Sequence, residues 1–176
     1  TCVIFGDGGG GVLLEPSKDE TGILDSILHV DGSGSKYLTV PAGGSLHPAS
    51  KDTVDKKMHY VYQDGKTVFK FAVKNMADVS KRILDRNQLT GDDIKLFIPH
   101  QANQRIIDAA AKRCGLADEK VFININRYGN TTAGTIPIAL DEAVESKRLK
   151  KDDILLLAAF GGGFTWGSML IQWSNK

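Results

Sequence analysis

Apolar residues recur along the chain with two different periods, and each period predicts one kind of element. Between residues 66 and 88 they recur at steps of three and four, which is typical of a long helix with one buried face. The stretch 154–160 is apolar throughout, which is typical of a central strand covered on both faces. The same patterns predict strands over 1–5, 12–14, 22–30, 94–98, 121–125, 154–160 and 165–173, and further helices over about 102–114 and 136–146.

The order of these elements predicts an α/β fold. From residue 22 onward it is strand, helix, strand, helix, strand, helix, strand, strand, and such alternation is typical of parallel strands joined by right-handed crossovers. We therefore expect a mostly parallel, layered sheet covered by helices, made mixed by an antiparallel last pair. The apolar stretches on either side of the glycines in 6–11 predict an opening hairpin, which would be the end of an earlier, equivalent unit.

Composition and spacing exclude several classes of function. The formal net charge is +1, so no long-range field attracts nucleic acid or an anionic membrane, and no apolar run reaches the ~20 residues of a membrane-spanning helix. The glycine run 6–11 lacks the lysine of a P-loop, and Pro16 follows too soon for the helix of a dinucleotide site. The histidines and cysteines lack metal-ligand spacing, so we expect no metal.

Three loops that follow successive predicted strands contain the candidate chemistry. His100 comes after the strand 94–98, Asn130 after 121–125, and the glycines 161–163 after 154–160. The carboxyl ends of parallel strands meet at one edge of a sheet, so an imidazole, a carboxamide and a bare backbone turn converge there. All three donate hydrogen bonds to an oxygen that gains negative charge. His100 also precedes a helix N-terminus, which favours its neutral form.

A nucleophile is missing from this set. Cys2 falls in the middle of the first predicted strand, and Cys114 falls on the apolar face of a helix, at the end far from His100. We therefore expect Cys114 to be a buried core residue.

Five stretches resemble the β-ketoacyl-[acyl-carrier-protein] synthase III family of the thiolase-like superfamily. They are 98–106 (IPHQANQRI), 128–133 (YGNTTA), 159–168 (AFGGGFTWGS), 5–8 (FGDG) and 68–73 (VFKFAV). The resemblance runs from residue 1 to residue 173. It implies an enzyme that starts type II fatty-acid synthesis by condensing an acyl-CoA, acetyl-CoA here, with malonyl-acyl carrier protein.

The resemblance also implies roles for particular residues. His100 and Asn130 would complete a Cys-His-Asn set and stabilise the enolate that forms when carbon dioxide leaves, and the Gly162 amide would form part of an oxyanion hole. The substrates would be thioesters linked to CoA or to phosphopantetheine, and the enzyme would need no cofactor. CoA or pantetheine would contact Asn103, Gly65 and Phe160, and an acidic carrier protein would dock on Gln101, Ala102, Asn103, Gln104, Arg105, Lys70 and Lys112.

The resemblance further implies that this chain corresponds to one half of such an enzyme. Residues 1–15 would be the last two strands of the N-terminal half, and 16–176 the C-terminal thiolase-like half-domain. The nucleophilic cysteine would lie in the absent half, so we expect the isolated chain to be inactive and the whole protein to be a cytoplasmic homodimer. The glycines 8–11, where relatives usually have alanines, predict a small loss of rigidity.

Two other functions stay open. One is another Cys-His-Asn thiolase-like enzyme, such as a polyketide or quinolone-type synthase, and use of malonyl-CoA rather than malonyl-carrier protein would distinguish it. The other is a non-catalytic thiolase-like module, which absence of a nucleophile segment upstream would favour.

Overall fold

The computed structural model describes residues 3–17, 19 and 21–174. Six strands and five α-helices are found in this part of the chain. The strands are β1 (Gly22–Val30), β2 (Leu38–Thr39), β3 (Tyr62–Gln63), β4 (Leu96–Pro99), β5 (Ile154–Gly161) and β6 (Thr165–Gln172). The helices are α1 (Lys51–Asp55), α2 (Gly65–Arg86), α3 (Gln104–Cys114), α4 (Ile125–Tyr128) and α5 (Thr135–Glu145), with 3-10 turns at Gly32–Tyr37, Asp118–Lys120 and Thr132–Gly134.

The main sheet has four strands in the order β1-β6-β5-β4. Only β4 and β5 pair in parallel, whereas β5 with β6 and β6 with β1 are antiparallel. The predicted mixed α/β sheet is confirmed, but the expectation that it would be mostly parallel is wrong. The parallel part is short because the predicted strand 121–125 does not join the sheet.

Helices cover both faces of this sheet, as the alternation along β5 requires. Leu156, Ala158 and Phe160 point into the core formed with α2 and α3. Leu155 is buried on the opposite face, in the core formed with α5. The apolar run of β5 is therefore buried on both sides, as its composition predicts. Among the described residues, the helices lack the length and apolar character that a membrane span requires.

Residues 121–125 pair with β4 at a single bridge, between Phe97 and Val121, and do not form a strand. The Phe122 amide donates to the Phe97 carbonyl over 2.9 Å, so the next donor in this ladder would be the amide of residue 99. That residue is Pro99, which has no N–H. The Phe122 carbonyl instead accepts from Nε2 of Gln101 at 3.1 Å, and the ladder ends.

The predicted opening hairpin is not formed in residues 3–15. Phe5 instead makes a parallel bridge with Asn130, in which the Gly6 amide donates to the Asn130 carbonyl and the Asn130 amide donates to the Ile4 carbonyl, each over 3.0 Å. A two-stranded hairpin on its own is marginally stable in water. Pairing with the folded loop at Asn130 is therefore the more stable arrangement for this segment. Cys2 lies outside the described residues. The division at residue 15 into two domains stays a prediction.

The region 31–64 contains only short elements. The strands β2 and β3 form a two-stranded sheet, and α1 begins with a capping box at Ser50, whose side chain accepts from the Thr53 amide.

Candidate active site

His100 lies at the carboxyl end of β4, where the sequence predicts it. Its amide donates a 2.8 Å hydrogen bond to the Ala158 carbonyl of β5, so its backbone continues the parallel ladder by one residue. Because β4 and β5 are parallel, the turn that begins at Gly162 leaves the same edge of the sheet. The geometry therefore brings His100 and the glycine turn to one edge.

Three close polar contacts connect His100 to Asn130. Nδ1 of His100 lies 2.6 Å from Oγ1 of Thr135, and this hydroxyl lies 3.1 Å from the Thr132 carbonyl. The Thr132 amide then donates to Oδ1 of Asn130 over 2.8 Å. These contacts bring the His100 and Asn130 loops together, which is consistent with the sequence prediction that the two loops converge.

The network leaves one polar atom of each end residue for a ligand. Oδ1 of Asn130 is occupied by the Thr132 amide, so Nδ2 is the amide atom that can donate. In the same way, Nδ1 of His100 is occupied and Nε2 points away from Thr135. Within the described residues, neither Nε2 nor Nδ2 has a hydrogen-bond partner.

Partial burial controls the charge of His100. Removal from water lowers the pKa of this imidazole from 6.5 to about 4. At neutral pH the ring is therefore uncharged and has one N–H, as the sequence predicts on the ground of the helix dipole. The physical cause here is desolvation.

Thr132 adopts a backbone conformation that serves both of its neighbours. Its φ angle is +53°, in the left-handed region that β-branched residues seldom occupy. In this conformation its amide reaches Asn130 and its carbonyl reaches Thr135, while its own side chain is exposed. Residues held in this way cluster at functional sites.

The backbone of Asn130 is held from the other side by the segment 3–8. The Phe5 bridge leaves so little room that a Cβ atom on Gly6 would lie 2.2 Å from the Tyr128 carbonyl oxygen. A Cβ atom on Gly134 would lie 2.7 Å from the Gly8 carbonyl oxygen. Glycine at positions 6 and 134 therefore allows the 5–8 stretch to pack closely against the Asn130 loop.

An aromatic cluster supports the glycine turn. The ring of Phe164 packs against Phe160, with ring centres 5.0 Å apart, and against Phe71 at 5.2 Å. The Phe164 and Asp31 backbones exchange two hydrogen bonds of 2.6 and 2.7 Å. A Cβ atom on Gly162 would lie 3.2 Å from the Leu38 carbonyl oxygen, so the turn lies directly on the segment 31–38. The position of the Gly162 amide is thus fixed by packing of the turn against the segment 31–38.

Phe160, a predicted pantetheine contact, lies near the end of β5. Its side chain is buried in the core, against Phe164 and Trp166. The apolar alternation of β5 points residue 160 into the core. It supports the glycine turn by packing, and the contact of Phe160 with pantetheine stays a prediction.

Gln101 is also a structural residue. Its side chain is 1% exposed, with Nε2 donating to the Pro99 and Phe122 carbonyls and Oε1 accepting from the Asn124 and Ile125 amides. All the hydrogen-bonding capacity of a carboxamide is used. The prediction that Gln101 docks a carrier protein is therefore wrong, because no polar atom of its side chain faces a partner.

The next residues of the predicted docking segment do reach the surface. Asn103 caps α3 by accepting from the Arg105 amide over 3.0 Å, and its side chain is exposed. Gln104 is exposed and donates to Asp108, while Ala102 is half-buried. The guanidinium of Arg105 lies over the Phe69 ring at 4.6 Å, which joins α3 to α2.

These two helices present a basic strip. We use this name for the exposed residues Lys66, Lys70, Lys74, Arg105 and Lys112. The three lysines lie four residues apart on α2, and Arg105 and Lys112 lie seven apart on α3, so each set shares one helix face. None of the five forms a salt bridge with another described residue, whereas the neighbouring Arg113 pairs with Asp78 at 3.6 Å.

Gly65 is the first residue of α2 and is exposed at the surface. The Asp64 side chain caps this helix by accepting from the Thr67 amide over 3.0 Å. Nothing lies within 4 Å of a Cβ atom built on Gly65, so the backbone there is open to a ligand.

Cys114 has none of the properties of a nucleophile. It is buried, and removal from water raises the pKa of its thiol to about 12. This confirms its expected place in the core. Among the described residues, no three His, Cys, Asp or Glu side chains are grouped as metal ligands.

Two family descriptions match the chain. The C-terminal region of 3-oxoacyl-[acyl-carrier-protein (ACP)] synthase III matches residues 84–173, and another region described as 3-oxoacyl-[acyl-carrier-protein (ACP)] synthase III matches residues 1–32. The first match includes His100, Asn130 and Gly162, together with about half of the chain. The chain belongs to the 3-oxoacyl-[acyl-carrier-protein] synthase III family.

Individual relatives agree with this assignment of the synthase III family. The chain is 56% identical over 176 residues to the β-ketoacyl-[acyl-carrier-protein] synthase III of Koribacter versatilis, covering 99% of the chain and 53% of that protein. It is 57% identical to the protein of the same name from Chlorobium phaeobacteroides, covering 98% of the chain and 53% of the relative. The crystal structure of β-ketoacyl-[acyl carrier protein] synthase III from Thermus thermophilus superposes with a TM-score of 0.81 at 37% identity, covering 100% of this chain and 54% of that one.

The chain thus spans about half the length of the curated synthase III relatives that it matches. The fold resembles the corresponding part of the solved synthase III structure, so the thiolase-like α/β class is confirmed. The roles of individual site residues stay predictions.

Sequence reasoning missed the two threonines that connect the site. Thr135 and Thr132 lie in a polar, threonine-rich loop, but periodicity does not show which hydroxyl is buried. Their roles depend on a contact across 35 residues of sequence and on a left-handed backbone angle.

Proposed function

We propose that this chain supplies the condensing half of an enzyme that starts type II fatty-acid synthesis. The reaction is a decarboxylative Claisen condensation of an acyl-CoA, acetyl-CoA in the simplest case, with malonyl-acyl carrier protein. His100 and Asn130 act on the malonyl thioester. The acyl group is held by a cysteine from a segment beyond this chain, since Cys114 is buried with a raised pKa.

The observation that carries this proposal is the chain of polar contacts from His100 through Thr135 and Thr132 to Asn130. It occupies Nδ1 of the imidazole and Oδ1 of the amide, and leaves Nε2 and Nδ2 for a ligand. Two neutral donors held by buried partners are suited to an oxygen on which negative charge develops. A cationic imidazole is not required, which agrees with the lowered pKa of His100.

The chemistry follows from these donors. Breaking the bond between the malonyl α-carbon and its carboxylate releases carbon dioxide and leaves the electron pair as an enolate. Its oxygen receives hydrogen bonds from His100 and Asn130. The enolate carbon then attacks the acyl-cysteine carbonyl, a carbon–carbon bond forms, and the carbon–sulfur bond breaks to return the thiolate. The Gly162 amide would stabilise the tetrahedral oxyanion of this second step.

The basic strip is the proposed docking surface for the carrier protein. Its five cations have no salt-bridge partner among the described residues, and acyl carrier proteins are acidic. Opposite charges of this kind steer association. Asn103 and Gly65, both exposed at helix N-termini near this strip, are the proposed contacts for pantetheine.

Charge reversal tests the docking surface. In the full-length protein, Lys70→Glu combined with Arg105→Glu should raise KM for malonyl-carrier protein about tenfold or more at low salt and leave kcat unchanged. Lys147→Glu combined with Lys150→Glu, at two exposed lysines outside the strip, is the matched control. Equal KM values for both variants would contradict this docking surface.

We also propose that the whole enzyme is a cytoplasmic homodimer. Leu28 and Val30 on the edge strand β1 are apolar but exposed. Exposed apolar residues of this kind are typical of a surface that a second protein surface covers.

Intact mass spectrometry of the full-length protein that contains this chain tests the function. After incubation with acetyl-CoA, one cysteine should gain one acetyl group, and addition of malonyl-carrier protein should remove it as acetoacetyl-carrier protein forms. An increment only with a longer acyl-CoA would change the primer and keep the mechanism. Discharge by malonyl-CoA alone would favour a polyketide or quinolone-type synthase, and no increment with any acyl-CoA would favour a non-catalytic module.

A further inference from the structure

Thr135 has the geometry of a residue that controls the proton position on His100. Its side chain is 2% exposed, and its hydroxyl oxygen lies 2.6 Å from Nδ1 of His100 and 3.1 Å from the Thr132 carbonyl. A hydroxyl has one proton, so it donates fully to only one of these two acceptors. The choice decides which ring nitrogen of His100 has the N–H.

The two arrangements have opposite consequences. If the hydroxyl donates to the Thr132 carbonyl, Nδ1 of His100 must be the protonated nitrogen and Nε2 keeps a lone pair. If the hydroxyl donates to Nδ1, then Nε2 has the N–H and becomes a donor. Only the second arrangement gives His100 a hydrogen bond to offer to an enolate oxygen.

Two observations favour donation to His100. The distance to Nδ1 is the shorter of the two, by half an ångström. In addition, the Thr132 carbonyl already accepts from the backbone N–H of Thr135, so it does not depend on the hydroxyl. Nδ1 has no other donor among the described residues.

We propose that Thr135 is a positioning residue whose hydroxyl donates to Nδ1 of His100 and so fixes the Nε2–H form of the imidazole. The inference rests on the proposed function for its purpose, whereas the protonation of the ring is measured without any substrate. The burial of the ring keeps it neutral, which gives the hydroxyl a lone pair to bind.

Nitrogen-15 NMR of the 176-residue chain at about pH 7 measures this directly, because protonated and unprotonated ring nitrogens have well separated shifts. The His100 signals are assigned by their loss in His100→Gln. We expect Nδ1 of His100 to be unprotonated and Nε2 to be protonated. A protonated Nδ1 in the unmodified chain would overturn the proposal, whatever the variants do.

Two substitutions at Thr135 separate the hydroxyl from the side-chain shape. Thr135→Val keeps the volume and removes the donor, so the two forms of His100 should mix and the shifts should move toward their average. Thr135→Ser restores the donor and should restore the shifts. Identical shifts in all three chains would overturn the proposal, and an unfolded Thr135→Val variant would leave the result for the unmodified chain and for Thr135→Ser to decide.

Kinetics of the full-length protein link the ring state to the reaction. Thr135→Val should lower condensation about 10- to 100-fold, by analogy with metal-bound histidines that lose their hydrogen-bonding partner, while Thr135→Ser retains it and acylation of the cysteine is unchanged in both. Normal condensation by Thr135→Val would contradict the positioning role. If the unmodified protein does not condense at all, the proposed function fails, and the NMR result for His100 still stands or falls separately.

Discussion

The backbone amide of Thr132 donates a 2.8 Å hydrogen bond to Oδ1 of Asn130 from a left-handed backbone conformation. The side chain of Thr132 is exposed, so its contribution to the network comes from its backbone. This arrangement orients the Asn130 amide and leaves its nitrogen available to donate. The strained backbone of Thr132 therefore lies in the chain of contacts between Asn130 and His100.

Replacement of Thr132 by glycine tests this finding. The left-handed conformation costs a non-glycine residue roughly 1–2 kcal/mol, and Thr132→Gly removes this cost. Part of the gain is offset because glycine loses more conformational entropy on folding. We expect the free energy of unfolding in urea to rise by up to about 1 kcal/mol. Thr131→Gly, at a buried neighbour with a negative φ, should instead lower it. A clear loss of stability in Thr132→Gly would show that its side chain matters.

The contact between the 5–8 stretch and the Asn130 loop predicts a second effect. In Gly6→Ala the new Cβ atom would lie 2.2 Å from the Tyr128 carbonyl oxygen, so the segment must move. We expect a loss of about 1–3 kcal/mol in the free energy of unfolding, the usual cost of overpacking. Nothing lies within 4 Å of a Cβ atom on Gly9, so Gly9→Ala is the matched control. Equal stability of the two variants would contradict the close packing.

Gln101 should matter for stability. Gln101→Leu leaves the Phe122 carbonyl and the Asn124 and Ile125 amides without their partner, and each unpaired buried group costs about 1–3 kcal/mol. We expect urea unfolding to show a loss of at least about 2 kcal/mol. Gln104→Leu, at an exposed glutamine on the same segment, should change stability by less than about 0.5 kcal/mol. The reverse order would return Gln101 to the surface role that the sequence suggested.

The lowered pKa of His100 predicts how stability depends on pH. Its pKa is about 4 in the folded chain and 6.5 in the unfolded chain, so between these values only the unfolded chain binds the proton. The free energy of unfolding should therefore fall as the pH falls from about 6.5 to about 4, by at most roughly 3 kcal/mol. Urea unfolding at several pH values should show a weaker fall in His100→Gln than in His47→Gln. Equal slopes would contradict the burial of the imidazole.

Sequence periodicity predicted most of the elements but not the end of the sheet. The helices α2 and α3 and the strands β1, β5 and β6 follow apolar patterns that are local and strong. The stretch 121–125 has an equally apolar pattern, yet Pro99 interrupts the ladder that would pair it. That interruption depends on the partner strand, which periodicity within 121–125 does not contain.

The candidate site shows the same division. His100 and Asn130 could be predicted because each follows an apolar stretch and has a side chain suited to an oxyanion. Thr135 could not, because its importance depends on burial of its hydroxyl beside a ring that is 35 residues away. Gln101 was assigned to the surface by resemblance, whereas in the structure its buried side chain bonds to the backbone of residues 99, 122, 124 and 125.

His100 is proposed to act on the malonyl thioester and not in loading the acyl group. This role is tested by the rate of carbon dioxide release from malonyl-carrier protein by the full-length protein, already acylated on its cysteine, with and without His100→Ala. We expect the variant to acylate normally and to release carbon dioxide about 10²–10³ times more slowly, the usual cost of removing one donor from an oxyanion site. Unchanged carbon dioxide release, or a loss confined to acylation, would contradict this role of His100.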